Sequence, residues 1–460
     1  MKKLTIISLL SLCIIFISCT QSNNVKNTGF DYPTVSSETF SPDSIKIELD
    51  DLIQQIQDVH PCMNMLIDLE ELFRVKYEIK EQITEPMNQL EVFRLFSRLN
   101  PVFADGHHGI AIPNTNKQIE DATKLGDRLF PIPVHIDNDF RLYAKTSFNE
   151  IAAGSEIHSI NGINAVEITK YIGRHTVGEE GFRINIAADR FSEYLWMHYG
   201  SSENFKLEIG DGEENKSITI EGGTYRFPNK RSDWSFEDKI SYEFLADNQV
   251  GYLKINTFSI PNELEKWFEF SKSFFKEIRN NDSKYLIIDL RQNTGGYDDV
   301  WIEGIMPYIA TKKWQRMANF LGRIIPFNEL PEKMDEIYIF EYDGEYEVSD
   351  KPKFEGEVFV ITGRMTYSSS IMFACAIKDN QLGKIVGQEA KTYARGCQMG
   401  MPQDHEMKIT NILAYTPHHW YNRNSDESSM EGISIDIQLP DNPFNEQEIV
   451  DALVRQLTNE

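Results

Sequence analysis

The chain has 460 residues, of which 41% are hydrophobic and 25% are charged, and its formal net charge at pH 7 is −25. A chain of this length and composition is expected to fold into two or three globular domains. The large negative charge argues against nucleic acid and anionic membrane surfaces as partners, because both would repel the protein.

The N-terminus has the pattern of an export signal. Lys2 and Lys3 supply positive charge, residues 4–17 form an apolar core, and Ser18-Cys19 makes a small-residue cleavage site. A cysteine at this point resembles the lipobox of bacterial lipoproteins, in which it becomes the lipidated first residue. We therefore predict a lipoprotein signal peptide at residues 1–18, lipidation at Cys19 and a flexible tether at residues 19–45. Ordinary secretion with an incidental cysteine is the alternative.

These features predict a protein of the bacterial cell envelope that is lipid-anchored and either periplasmic or associated with the outer membrane. No later stretch approaches the roughly 20 apolar residues of a transmembrane helix. Beyond the export segment, the histidines and the three remaining cysteines lack the spacing of metal ligands, and no phosphate-binding loop is present. We therefore expect neither a metal nor a cofactor.

The first region after the tether is predicted to be helical. Apolar residues recur at helical spacing in three stretches, at residues 48–59, 66–83 and 87–99. Pro101 is expected to end the third helix. This N-terminal helical region, residues 46–115, contains the turn Asp105-Gly106-His107-His108. We expect His108 to be a surface residue of that turn.

A region of short strands follows. Residues 154–166 contain Asn161-Gly162, a strong hairpin signal, between alternating apolar residues. The string resembles the G-D-x-I-x-x-I-N-G signature of PDZ domains. The resemblance implies a PDZ-like domain at residues 125–225, a module that binds extended peptide termini by adding a strand to a sheet edge.

The second half of the chain alternates between strand and helix patterns. Strands are predicted at residues 251–255, 284–290, 358–361, 384–387 and 408–415, and helices at residues 263–279, 298–309, 369–379 and 447–457. The run at 284–290 is apolar without alternation, which is typical of a strand buried on both faces. This alternation predicts an α/β domain at residues 235–460.

A cluster of hydroxyl residues, 366–370, lies between one of these buried strands and the following helix. A serine at such a junction projects towards solvent and is close to free N–H groups at the helix N-terminus, which suits a nucleophile. The same residues also suit a helix cap. The cluster alone does not distinguish these two interpretations.

Four motifs together resemble one family of serine peptidases. They are Asp-Gly-His-His at 105–108, the PDZ-like string at 154–166, Asp-Leu-Arg-Gln-Asn-Thr-Gly-Gly at 289–296, and Arg-x-Thr-Tyr-Ser-Ser-Ser at 364–370. In this order and spacing they resemble the C-terminal processing (tail-specific) peptidases and the tricorn core protease. The resemblance implies an α/β fold (α+β overall) with a crotonase/ClpP-like ββα catalytic domain, an inserted PDZ-like β domain and an N-terminal helical region.

The resemblance also implies the site residues. Ser368 matches the nucleophile, and Ser369 with Gly295 and Gly296 matches the N–H donors of the oxyanion hole. Glycines allow a backbone to approach a substrate carbonyl closely, and preorganised N–H groups stabilise the developing charge.

Two bases are open. The processing peptidases use a lysine about 25 residues after the nucleophile; the nearby Lys391 lacks the glycine that follows it in the family. The tricorn-like branch uses a histidine from the N-terminal region, which His107 matches, and an imidazole suits a base near neutral pH. In that branch a carboxylate completes the relay, and Glu431 or Glu427 matches it.

The sequence therefore predicts an exported serine endopeptidase that acts on peptides or unfolded proteins through an acyl-enzyme on Ser368, with His107 as the base. The alternatives are a catalytically degenerate homologue that binds peptides as a scaffold, and a surface lipoprotein that captures glycans. The α/β half argues against the glycan-binding alternative, which would need aromatic platforms on an all-β domain. The sequence does not indicate the oligomeric state.

Overall fold

The computed structural model describes residues 29–61, 63, 67–211, 214–224, 234–323, 337–341, 344–388, 403–424 and 432–458. The predicted signal peptide and its lipidation site lie outside these residues. The following predicted residues also lie outside them: Lys391, Glu427 and Glu431.

The chain has the predicted mixed α/β architecture, with two larger sheets and two main hydrophobic cores. In the first half, helices precede and surround a six-stranded antiparallel sheet. In the second half, a mostly parallel sheet lies between helices. Within the described ranges, no helix is both long enough and apolar enough to cross a bilayer.

The N-terminal helices follow the predicted positions closely. They are α1 (Pro42–Val59), α2 (Leu69–Gln82), α3 (Gln89–Phe96) and α4 (Asn100–Phe103), with a 3₁₀ turn at Ser97–Leu99. Helix α1 begins earlier than predicted because Ser41 caps it and Pro42 occupies the first turn, where proline is tolerated. Pro101 does not end the helical segment as predicted, because it occupies the first turn of α4.

The first sheet has the strand order β2-β3-β4-β6-β7, with β5 paired to β4. Its strands are β2 (Val134–Ile136), β3 (Leu142–Ala144), β4 (Glu156–Ile160), β5 (Ile163–Asn164), β6 (Asn204–Asp211) and β7 (Glu214–Glu221). The helices beside it are α5 (Thr115–Lys124), α6 (Ala165–Gly173), α7 (Glu180–Asp189) and α8 (Phe191–His198). The sheet and the N-terminal helices share one hydrophobic core, so they form a continuous packed unit.

The second sheet has the order β20-β16-β15-β10-β9-β8. Its strands are β8 (Ile240–Leu245), β9 (Val250–Ile255), β10 (Tyr285–Asp289), β15 (Glu357–Thr362), β16 (Lys384–Gly387) and β20 (Ile437–Gln438). All neighbours are parallel except β8 and β9. The carboxyl ends of β9, β10 and β15 therefore meet at one edge of the sheet, where ligands bind in open α/β folds.

Helices cover both faces of this sheet. They are α9 (Phe236–Lys239), α10 (Leu264–Asn280), α11 (Asp299–Ile302), α12 (Met306–Ile309), α13 (Ser369–Asp379) and α14 (Gln447–Thr458). Leu286 and Ile288 of β10 pack on the side of α10 and α13, whereas Ile287 packs on the side of α14. Strand β10 is thus buried on both faces, as its unbroken apolar run predicts.

Two predicted elements differ from the structure. The helix predicted at residues 298–309 is two short helices, α11 and α12, with a turn at residues 303–305 between them and Pro307 in the first turn of α12. The strand predicted at residues 408–415 begins later, at Leu413, because Asn411 adopts a left-handed conformation with φ of 52°.

The remaining strands are short. They are β1 (Gly109–Ala111), β11 (Trp314–Gln315), β12 (Asn319–Arg323), β13 (Ile337–Glu341), β14 (Glu345–Tyr346), β17 (Gln403–Glu406), β18 (Leu413–Thr416) and β19 (His419–Asn422). Strand β1 pairs antiparallel with β18, so the N-terminal half joins the C-terminal half through a backbone ladder. This pairing fixes the chain segment that immediately precedes β1.

Two histidines with buried ring nitrogens, His175 and His198, are expected to make the N-terminal core sensitive to acid. The rings of His175 and His198 lie 4.3 Å apart, and neither ring nitrogen of His198 has a hydrogen-bond partner within the described part of the chain. Burial lowers the pKa of His175 to about 3, with Arg98 and Arg94 adding to the effect, and burial also lowers the pKa of His198. Both imidazoles are therefore neutral in the folded protein.

We expect the free energy of unfolding to fall as the pH drops below about 6.5, where histidines of the unfolded chain begin to bind protons that the folded chain excludes. Stability from these groups is fully present above that pH and is lost as the pH falls towards the folded pKa. At pH 5 the loss is about 2 kcal/mol for His175 alone. Urea unfolding between pH 5 and 8 measures it.

His198→Phe should make this pH dependence shallower, because the variant keeps an aromatic ring in the pocket but cannot bind a proton. His158→Gln serves as the matched control, since the side chain of His158 is 38% exposed. Equal pH dependence in wild type and His198→Phe would contradict the interpretation.

Candidate active site

The turn between β15 and α13 holds Ser368 in an uncommon backbone conformation. Ser368 is the N-cap residue of α13, with φ of 53° and ψ of −130°. Only glycine adopts this region readily, so a serine here stores backbone strain of about 1–3 kcal/mol. Such strain must be held in place by the surrounding contacts, and it is typical of functional sites.

The other hydroxyl residues of the cluster have structural contacts that hold the turn. Thr366 Oγ1 donates to the Leu290 carbonyl at 2.8 Å, which ties the turn to the end of β10. Ser370 Oγ donates to the Asn293 carbonyl at 2.6 Å. Thr366, Ser369 and Ser370 are fully buried, whereas Ser368 is only half-buried. The structure thus separates Ser368 from its neighbours.

Ser368 lies in contact with His107. The His107 Nε2 atom is 3.0 Å from Ser368 Oγ, although 261 residues separate them in sequence. The pairing of β1 with β18 carries the histidine turn to the second half of the chain. The Asn100 side chain supports that turn by bonding both the N–H and the carbonyl of Ile110, at 2.7 and 3.2 Å. A base and a nucleophile within hydrogen-bond reach have the geometry that covalent catalysis requires.

The other ring nitrogen of His107 faces Tyr367 and Asp105. His107 Nδ1 is 3.1 Å from the Tyr367 hydroxyl and 3.4 Å from Asp105 Oδ1. The Tyr367 hydroxyl donates to Asp105 Oδ1 at 2.9 Å and accepts from the Gly106 N–H at 2.9 Å. Asp105 Oδ1 also accepts from the backbone N–H of His107 at 2.8 Å. Asp105 is fully buried.

The ring of Tyr367 is held from both sides. It stacks on His107 with ring centroids 4.7 Å apart and on Phe182 with centroids 4.2 Å apart. Burial raises the pKa of Tyr367 well above its usual value, and the charges of Glu179 and Asp105 add to the effect. The phenol is therefore protonated across the working pH range.

The loop after β10 brings two glycines close to the nucleophile candidate, Ser368. Gly295 and Gly296 have φ of 101° and 138°, and a Cβ on Gly295 would lie 2.6 Å from the Ser368 Cβ. A Cβ on Gly296 would lie 2.2 Å from the Phe258 carbonyl carbon. Only glycine fits at either position. The Gly295 N–H donates to Asn293 Oδ1 at 2.8 Å, whereas the described residues offer no acceptor for the Gly296 N–H.

Ser369 begins helix α13 directly after Ser368. Its hydroxyl donates to Asp298 Oδ1 and accepts from Trp301 Nε1 at 3.0 Å. Asp298 also pairs with Arg316 at 2.9 Å, and burial raises the pKa of its carboxyl group. The side chain of Ser369 is thereby fixed, and its N–H is one of the unpaired donors of a helix N-terminus.

The structure corrects one prediction and adds two residues to the candidate site. His108 is not at the surface as predicted: it is fully buried and stacks on Phe103 with ring centroids 3.7 Å apart. The sequence also gave no role to Tyr367 or Asp105, although both lie within two residues of the predicted pair. Their adjacency in the two quoted motifs was the available signal. Among the described residues, no group of three or more His, Cys, Asp or Glu side chains could hold a metal ion.

Comparisons with known proteins give matches at the level of sequence and of fold. The family model of peptidase family S41 matches residues 249–439. The chain is 22% identical over 258 residues to the tail-specific protease of Haemophilus influenzae, which covers 55% of this chain and 32% of that protein. The chain thus spans about a third of the length of this curated relative.

Solved structures of CPAF share the fold. Mature CPAF complexed with lactacystin has a TM-score of 0.65 at 14% identity, covering 91% of this chain and 99% of that chain. A CPAF mutant has a TM-score of 0.68 at 14% identity, covering 91% of this chain and 98% of that chain. At this identity the likeness establishes the mixed α/β fold alone.

The sequence and family matches support a serine peptidase hydrolase. They confirm the predicted resemblance: residues 249–439 match the model of peptidase family S41, and the chain is similar to a tail-specific protease.

Proposed function

We propose that this protein is an exported serine endopeptidase of the tail-specific type, with Ser368 as nucleophile and His107 as general base. The observation that carries the proposal is the contact of 3.0 Å between His107 Nε2 and Ser368 Oγ. This contact favours His107 over Lys391 as the base.

In the first half of the reaction, Ser368 Oγ attacks the carbonyl carbon of a peptide bond while His107 Nε2 takes the hydroxyl proton. The carbon–nitrogen bond then breaks, and His107 returns the proton to the leaving amine. In the second half, water attacks the ester carbon on Ser368 while His107 Nε2 takes a proton from that water. The bond between the acyl carbon and Ser368 Oγ then breaks, His107 returns the proton to Oγ, and the acid product leaves.

The oxyanion of each tetrahedral intermediate is assigned to the N–H groups of Ser369 and of the Gly295–Gly296 loop. Within that loop the Gly296 N–H suits the role better, since the Gly295 N–H already donates to Asn293. Gly295 contributes by letting the loop approach Ser368. Preorganised donors of this kind contribute about 3–4 kcal/mol to transition-state stabilisation.

The resemblance implies a carboxylate that completes the relay, and Glu431 or Glu427 matches it by sequence position. The residues described here do not include either of them. The lipid anchor at Cys19 and the location in the cell envelope are likewise proposed from the N-terminal pattern and from the similarity to a tail-specific protease.

A cleft beside the nucleophile turn offers a path for the substrate. Val134 and His135 of β2, Asn185 of α7, and Arg364 and Met365 of the turn line it. Strand β2 is an edge strand of the first sheet, so an extended peptide can add to it through backbone hydrogen bonds. We propose that the PDZ-like region, residues 125–225, holds the substrate in this way.

A fluorophosphonate probe tests the proposal directly, because it reacts with activated serines. We expect the folded wild type to be labelled on Ser368, as located by mass spectrometry, and Ser368→Ala to be unlabelled. Absence of labelling in folded wild type would indicate a degenerate homologue that only binds peptides.

The same probe identifies the base. His107→Ala should slow labelling by about 1,000-fold or more, because the serine loses its proton acceptor. Lys391→Ala is the matched comparison and should be labelled at close to the wild-type rate. Loss of labelling in Lys391→Ala alone, with the fold retained, would contradict the assignment of His107.

The strained backbone conformation of Ser368 gives a separate prediction on stability. Ser368→Gly and Ser368→Ala should both be inactive. The free energy of unfolding of Ser368→Gly should be about 1 kcal/mol higher than that of Ser368→Ala, since glycine relieves the strain at positive φ. Both variants lose the same contact with His107, so urea unfolding compares the backbone effect alone. Lower stability of the glycine variant would show that this conformation is not strained.

A further inference from the structure

We propose that Tyr367 and Asp105 act together as the positioning residues of His107, holding its imidazole in the tautomer that accepts the proton of Ser368. The inference rests on the proposed function, because it concerns the same base and nucleophile. Tyr367 and Asp105 face the Nδ1 atom of the ring. The inference gives this pair the orienting role that the family resemblance gives to Glu431.

The hydrogen bonds of the Tyr367 hydroxyl determine which ring nitrogen of His107 carries the proton. A phenol has one proton to donate and two lone pairs to accept with. The Gly106 N–H, at 2.9 Å, uses one lone pair, and Asp105 Oδ1, at 2.9 Å, accepts the proton because an ionised carboxylate only accepts. The contact of 3.1 Å to His107 Nδ1 must then use the second lone pair. His107 therefore carries its proton on Nδ1.

A proton on Nδ1 leaves the lone pair of Nε2 for Ser368. The 3.0 Å contact is thus a hydrogen bond from the Ser368 hydroxyl to His107 Nε2, in the direction that proton transfer requires. The opposite tautomer would place two lone pairs, those of Nδ1 and Tyr367, against each other. Fixing the tautomer through the far ring nitrogen is the role that orienting groups have in histidine sites.

The charge of Asp105 acts once the proton has moved. Its Oδ1 atom lies 3.4 Å from Nδ1, and the side chain of Asp105 is fully buried while that of His107 is only 13% exposed. Because little solvent screens the pair, the carboxylate stabilises the imidazolium that forms during attack. The raised pKa of Tyr367 keeps its proton in place, so the phenol links the two groups without titrating.

The pair is also built into both motifs that supply the reacting atoms. Tyr367 directly precedes Ser368, and Asp105 lies two residues before His107. The stacking of Tyr367 between His107 and Phe182 limits the ring to one position. Contacts between the two motifs therefore align nucleophile and base with each other.

The test measures kcat and KM against pH for a peptide that wild type cleaves. Tyr367→Phe should lower kcat about 10- to 100-fold with KM within about twofold, as for other partners that orient a histidine. Asp105→Asn should lower kcat about 100-fold or more and move the acidic limb of the pH profile to lower pH, since the negative charge that favours the imidazolium is gone.

Tyr252→Phe is the matched control. Its hydroxyl makes a comparable buried bond of 2.7 Å to Asp289, away from His107, so its loss should lower the melting temperature without moving the acidic limb. In case a variant of the pair does not fold, ¹⁵N NMR of histidine-labelled wild type gives a second test. The His107 signal, identified by its loss in His107→Gln, should be that of the Nδ1–H tautomer.

The outcomes distinguish the two levels of the proposal. If wild type neither cleaves peptides nor reacts with fluorophosphonate, the proposed function fails. If wild type is active but Tyr367→Phe and Asp105→Asn keep its kcat and its acidic limb, only the inference fails. An Nε2–H tautomer, or an acidic limb that moves solely in Glu431→Gln, would also overturn it.

Discussion

The site depends on one backbone pairing between distant parts of the chain. Strand β1 pairs with β18, and this antiparallel ladder brings the turn containing His107 to the carboxyl edge of the second sheet. The buried carboxylate of Glu48 strengthens the junction by accepting the N–H groups of Ile409 and Thr410, at 2.7 and 3.1 Å. Without this junction the second sheet would hold Ser368 but not its contact with His107. Assembly of the site is therefore an event of tertiary folding.

Parallel strands supply the rest of the geometry. Because β9, β10 and β15 are parallel and adjacent, the loops that follow them converge on one edge, and each loop contributes a different part. The loop after β10 contributes glycines, and the turn after β15 contributes Ser368 in a strained conformation. Hydrogen bonds from Thr366 and Ser370 to the carbonyls of the β10 loop hold that strain. The strained conformation of Ser368 is thus supported by the buried side chains of Thr366 and Ser370.

Much of this arrangement was predictable from local sequence. The buried strand β10 and helix α13 appear where their apolar patterns predict them, because both are governed by burial of consecutive side chains. The break between α11 and α12 had a local signal in Gly304 and Pro307, because a proline is tolerated in the first turn of a helix but breaks a helix interior. The contacts of Tyr367 were not predictable, because they require the pairing of strands some 300 residues apart, and no local pattern encodes a contact of that range.

In the proposed reaction, Ser368 Oγ carries the acyl group of the substrate from the first half to the second. Rapid acid quench of the enzyme with an activated ester substrate, followed by peptide mapping in a mass spectrometer, measures this directly. The account predicts an acyl group in ester linkage on Ser368 that forms faster than the second product is released and is absent from His107→Ala. Turnover without any acylated serine, or an acyl group on another residue, would contradict it.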